Sequence, residues 1–135
     1  MFSVACKDGG RFVAEAREHY YKANELLDDG LVEEAIEEYS EAIRKKPDFL
    51  EAYFSRGISF RLLKEYQRVI DDMDEVIEIN PEFGHAHVER ALSYKFLAYQ
   101  VNDNIEEYEK LIAQGNADLI KACELDKLAC VLPQK

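Results

Sequence analysis

Three stretches of this chain carry nearly the same string: AIEEYSEAI at 35–43, VIDDMDEVI at 69–77 and NIEEYEKLI at 104–112. From Ala35 to Val69 is 34 residues, and from Val69 to Asn104 is 35. Within each copy the apolar positions fall at i, i+1, i+4, i+7 and i+8, which is one face of a helix. In the first these are Ala35, Ile36, Tyr39, Ala42 and Ile43; in the second, Val69, Ile70, Met73, Val76 and Ile77. In the third Asn104 interrupts the set, leaving Ile105, Tyr108, Leu111 and Ile112. One such unit cannot bury its own apolar face, so a period in the thirties predicts a stacked helical solenoid.

A partner helix precedes each copy. EHYYKANELLDDG, EAYFSRGISFRLLK and HAHVERALSYKFLA align at the same period, each with a small residue at one shared point: Ala23, Gly57 and Ala91. Three residues on comes a large one, Leu26, Phe60 or Tyr94. Small against large lets two antiparallel helices approach and interlock. Pro47 and Pro81 follow the first two copies and stop those helices, because proline cannot continue the hydrogen-bond ladder.

At these residues the chain resembles the tetratricopeptide repeat family. The family's small, aromatic, alanine and proline positions fall on Ala23, Leu26, Ala35, Tyr39, Ala42 and Pro47, then on Gly57, Phe60, Val69, Met73, Val76 and Pro81. The usual Trp and Leu early in the first helix are replaced by His19 and Lys22, Tyr53 and Arg56, and His87 and Arg90. The resemblance covers about residues 16–117. It implies an all-α, right-handed solenoid of about three helix-turn-helix repeats plus a C-terminal capping helix. The corresponding division is a flexible N-terminus at 1–10, ending in the turn pair Gly9-Gly10, and repeats at 11–48, 49–82 and 83–116, the third degenerate. A capping helix and tail occupy 117–135.

The C-terminal boundary has two readings. ADLIKACELDK at 117–127 also resembles the second helix of a repeat, which makes 102–113 an insertion, and the apolar phase from Ile105 to Cys123 suits one long helix. Gly115-Asn116 has the composition of a stop followed by a cap, and a break there with a separate helix at 117–131 is expected.

Charge and motifs narrow the chemistry. Lys plus Arg number 17 against 28 Asp plus Glu, a formal charge of −11, which repels phosphate backbones and anionic lipid and so argues against nucleic-acid and membrane partners. The acidic blocks Glu33-Glu34, Glu37-Glu38 and Asp71-Asp72 read as solvated faces, and the cations of RKKP at 44–47 suit a helix C-terminus. Ser3-Val4-Ala5-Cys6 faintly resembles a lipoprotein cleavage box, but no basic segment or long apolar stretch precedes it. Cys6, Cys123 and Cys130 form no even framework, so reduced thiols and a cytoplasmic location are expected. There is no glycine-rich phosphate loop, GxSxG elbow or HExxH helix. His85 and His87, two apart on a helix, point to nearly opposite sides, so neither a metal site nor a cofactor is expected.

The resemblance implies that first helices line a concave groove. Its candidate peptide-binding residues are Arg17, Tyr20, Asn24, Glu51, Phe54, Ser55, Arg61, His85, Glu89 and Lys95. Tyr20 and Phe54 are expected to meet apolar ligand groups, and the matched cations Arg61 and Lys95 an acidic one, unless those cations pair internally with Glu51 and Glu89. The co-chaperone carboxylate clamp fits poorly: its positions read Tyr20, Asn24, Ser55, His85 and Glu89, of which only the Asn survives. The expected function is a non-catalytic adaptor binding a peptide segment of a partner protein. The alternative is a self-associating scaffold, a homodimer through an exposed Leu/Val stripe at 119–132.

Overall fold

A computed structural model describes residues 5–101 and 103–126, with backbone alone for 5–8. Among the described residues six helices follow one another: α1 (Ala5–Asp28), α2 (Val32–Lys45), α3 (Leu50–Leu62), α4 (Tyr66–Ile79), α5 (Gly84–Gln100) and α6 (Ile105–Leu125). No strand occurs among the described residues. The helices form three antiparallel hairpins, α1–α2, α3–α4 and α5–α6, and α2 packs on α3 and α4 on α5, making an all-α solenoid.

The expected small-against-large packing is in place. Ala23, Ala35 and Tyr39 are buried together under Tyr20 and Leu26; Phe60, Val69, Met73 and Val76 form the central core. At Gly57 a Cβ would overlap the Met73 methyl and sit 3.3 Å from Asp72 Cβ, so a larger residue there requires the Met73 side chain to move. Pro47 and Pro81 lie just beyond the last turns of α2 and α4, as expected from the missing amide hydrogen.

Two boundaries differ from expectation. Helix α1 begins at Ala5 and runs through Gly9-Gly10, which therefore make no turn. Helix α6 is continuous through Gly115-Asn116, so no break separates a capping helix; residues 127–135 lie outside the described residues. Gly115 is a contact glycine instead of a stop: a Cβ there would lie 3.0 Å from the Ala91 carbonyl oxygen and 3.5 Å from Tyr94 Cβ. It does for α5–α6 what Gly57 does for α3–α4. Asn104, which interrupts the third string, is the N-cap of α6, its side-chain oxygen accepting from the Glu107 amide at 3.2 Å.

Ion pairs show the register directly. Lys22 donates to Glu38 at 2.5 Å, Arg56 forks onto Asp72 at 2.9 and 2.6 Å, and Arg90 forks onto Asp118 at 2.8 and 2.6 Å. The three cations recur every 34 residues, at the position where the family usually carries leucine. Each first helix thus holds its second helix by a charge-assisted bond. Glu38 and Asp72 are therefore inward acceptors, which corrects their reading as solvated faces. Asp118 takes the place of Asp72, so the part of α6 around Asp118 stands in register with α2 and α4, and the turns of α6 from Ile105 that precede it are additional to that register.

The Glu38 and Asp72 carboxyls are shifted in opposite directions. The hydrogen bond from His19, then that from Lys22, holds Glu38 below the usual carboxylate range. Its stabilisation is present above the unfolded value and lost as pH falls through the lowered folded one. Burial pushes the Asp72 carboxyl up, outweighing the Arg56 fork, so acidification protonates it in favour of the folded state.

Turns α1–α2 and α3–α4 share one left-handed position, occupied by Gly30 (φ 80°) and, 34 residues on, by Lys64 (φ 61°). A side chain there crowds its own carbonyl, at a cost of about 1–2 kcal/mol. Lys64→Gly is expected to raise the urea midpoint, with a net gain of about 0.5–1 kcal/mol after the greater entropy of unfolded glycine. A lowered midpoint would show that the lysine side chain contributes more than its backbone strain removes.

Candidate functional site

First helices α1, α3 and α5 carry all ten candidate groove residues, but the structure does not gather them into one site. Arg17, Tyr20 and Glu51 line a cavity of about 410 Å³ together with Tyr21, Lys46 and Phe49. Phe54 leans into the central core, edge-on to Phe83 with ring centroids 5.2 Å apart. His85 lines a separate cavity of about 250 Å³ with Phe83, Val88 and Leu125.

Four candidates are engaged internally. Asn24 accepts the Tyr39 hydroxyl at 2.6 Å, and burial pushes that phenol up to about 12 while Ser55 also hydrogen-bonds to it. Arg61 Nε lies 3.0 Å from Glu89 Oε2, close enough to pair although the N–H is not aimed for a hydrogen bond. The internal alternative thus holds for Arg61, and the matched cation pair narrows to Lys95. Lys95 is half-buried with its stem beside Gly115 and forms no ion pair among the described residues.

Two lining residues of the larger cavity were not anticipated. Lys46 places its ammonium 4.8 Å from the Phe49 ring centroid, a cation–π contact, and the Phe49 ring lies tilted against Tyr20 with centroids 5.1 Å apart. Both sit in the α2–α3 connection, whose path is set by Pro47 and by the Phe49 amide donating to the Lys46 carbonyl. A usable signal exists: Lys46-Pro47-Asp48-Phe49 returns as Asn80-Pro81-Glu82-Phe83, an aromatic two residues after each proline. Arg17 and Lys46 face this cavity with one acid, Glu51, and form no ion pair among the described residues. Two cations sharing a cavity with three aromatic rings can hold an anionic group beside an apolar one.

The histidines separate as helical geometry requires. His85 is exposed, whereas His87 is 5% exposed, with Nδ1 3.2 Å from Asp118 and Nε2 3.0 Å from the Pro81 carbonyl. Cys123 is disulfide-bonded, which corrects the expectation of three reduced thiols. The side chains of Cys6 and Cys130 fall outside the described residues. Of the stripe at 119–132, Leu119 and Leu125 are half-buried and Ile120 is exposed; 127–132 is not described. No helix among the described residues is long and apolar enough to cross a membrane.

A family model described as TPR repeat matches residues 23–62. No curated protein matches. Among solved structures, the chain is similar to the Arabidopsis OM64 TPR domain, at 18% identity and TM-score 0.73, covering 87% of each chain. It is also similar to the second TPR of Spaghetti (RPAP3) bound to the HSP90 peptide SRMEEVD, at 17% identity and TM-score 0.70, covering 83% of this chain and 93% of that one. The TPR2B domain of yeast Sti1, in complex with pHsp70, is 22% identical with TM-score 0.65 over 82% of each chain.

Proposed function

We propose that this chain, a tetratricopeptide-repeat solenoid, is a non-catalytic interaction module that holds a peptide segment of a partner protein in its concave groove. The observation that carries the reading is the cavity where Arg17 and Lys46 stand beside Tyr20, Tyr21 and Phe49. An acidic side chain or carboxylate of the ligand meets the two cations, and a neighbouring apolar side chain lies on the rings. Similar folds that bind chaperone peptides, as in the Spaghetti and Sti1 structures, support a peptide as the ligand class.

The ligand is held differently from a five-residue carboxylate clamp. At those positions Tyr20 is packed between the Tyr39 and Phe49 rings, Asn24 is taken by Tyr39, and Glu89 would repel a carboxylate while it pairs with Arg61. The anionic group therefore sits at the first inter-repeat connection, nearer the N-terminal end of the groove.

The double change Arg17→Ala with Lys46→Ala tests this. Both side chains are at the surface of the cavity, so helicity and melting should be nearly unchanged. Affinity for acidic-aromatic peptides selected on the intact protein should fall about tenfold or more, the equivalent of about 1.4 kcal/mol. Undiminished affinity, with loss tracking Leu119→Ala and the monomer–dimer equilibrium instead, would replace the groove by the scaffold reading.

A further inference from the structure

The residues between paired charges mark where this chain departs from its own repeat. Lys22–Glu38 and Arg56–Asp72 each span 16 residues, whereas Arg90–Asp118 spans 28. The difference lengthens α5 to Gln100 and starts α6 three turns before its contact at Gly115, so the α5–α6 hairpin extends past the turns at Gly30 and Lys64.

A solvated extension needs no apolar surface, yet this one carries the two most exposed large apolar side chains of the described residues. Tyr99 is 70% and Ile105 72% exposed. They line one cavity of about 360 Å³ with Ala98, Val101, Asp103 and Tyr108. That volume accommodates a large apolar side chain, and an exposed apolar cluster ringed by polar groups is a typical contact surface. The surroundings are acidic: Asp103 lines the cavity itself, and Glu106 and Glu107, with Lys110, line a second cavity in the first turns of α6; none of these three carboxylates forms an ion pair among the described residues. A second copy, itself at −11, would bring like charge to this tip.

We propose that the α5–α6 hairpin tip is a second docking surface, taking an apolar side chain carried on a Lys/Arg-rich segment of a partner protein. The cavity supplies contact area and the acidic surroundings select the flanking charge and steer encounter. This surface lies at the turn edge of the solenoid, apart from the groove cavity lined by Arg17 and Lys46, so the two can be occupied independently.

An array of short synthetic peptides tests the idea with the intact chain. Each has a central Leu, Phe, Trp or Ser flanked by Lys/Arg, by Glu or by Ser. Retention is expected only for basic flanks around an apolar centre, weakening as salt rises. The double change Tyr99→Ser with Ile105→Asp should reduce it about tenfold or more. An aspartate in the first turn of α6 suits the helix dipole, and Ile105→Ala, expected to act in the same direction, guards against a folding effect. Arg17→Ala with Lys46→Ala should leave this binding unchanged, which separates it from the groove. Equal retention around a central Ser, indifference to the tip changes, or loss with the groove changes would each overturn the proposal. So would a dimer that dissociates on Ile105→Asp.

Discussion

Ala42→Glu is expected to abolish the cooperative thermal transition. Ala42 is wholly buried with Ala16, Phe49 and Ala52, where α1, α2 and α3 meet. Ala16, Ala42 and Ala52 are small because three helices touch there, with the Phe49 ring packed beside them. A carboxylate buried without a partner costs several kcal/mol, added to the overpacking of a methyl-sized site. Total stabilities of domains this size are about 5–15 kcal/mol, so little remains. The paired measurement is Glu37→Ala, one helical face away and exposed, expected to shift stability by at most about 0.5 kcal/mol. Equal melting temperatures for the two would mean that α2 faces the other way.

Asp118→Ala carries the second large effect. Asp118 is buried on α6 and accepts both arms of the Arg90 fork as well as His87 Nδ1 from α5. Its hydrogen bond to Arg90 is the first cause holding that guanidinium further above its usual range. Asp74 on α4 also faces Arg90, but it is exposed and cannot fill the vacated position. Removing one partner of a buried pair costs about 3–5 kcal/mol, because the other charge stays desolvated. Asp118→Asn keeps an acceptor and should lose less. Denaturant melts of the two variants decide it: if alanine and asparagine are equally mild, Arg90 is sufficiently served by Asp74 and water.

The sequence shows the hairpin period clearly because each helix pair is specified locally. Small residues at Ala23, Gly57 and Ala91 and the prolines after α2 and α4 act within one unit. The third register was harder, since NIEEYEKLI copies the apolar spacing of a second helix while standing ahead of the segment in register. Two signals could have corrected it. Asn104-Ile105-Glu106-Glu107 has the form of a helix start, and Arg90 needs a buried acid, which only the 117–127 string supplies in the Asp72 position. Lys22, Arg56 and Arg90 look like departures from a leucine pattern until their partners are seen. At the groove, Arg17, Tyr20 and Glu51 follow from helix phase. Lys46 and Phe49 do not, because a connection is placed by its chain path and has no face to read. Nor does phase reveal that Tyr39 claims Asn24, or that Glu89 claims Arg61.

The spacing of the interhelical charges also bears on how the chain opens. Closing a segment costs entropy that grows with its length as (3/2)RT ln n, so the 28-residue closure at Arg90–Asp118 costs about 0.5 kcal/mol more than a 16-residue one. That repeat also has a neighbour on one side only among the described residues, through α4. In a structure held by nearest-neighbour contacts, an end unit with a longer closure comes undone before the central one. Amides of α6 should therefore exchange with solvent ahead of those in α3 and α4. The hairpin tip would then be presented by a layer that opens before the central repeat, and a partner gripping it would lock the C-terminal repeat shut, coupling occupancy there to the endurance of the whole stack.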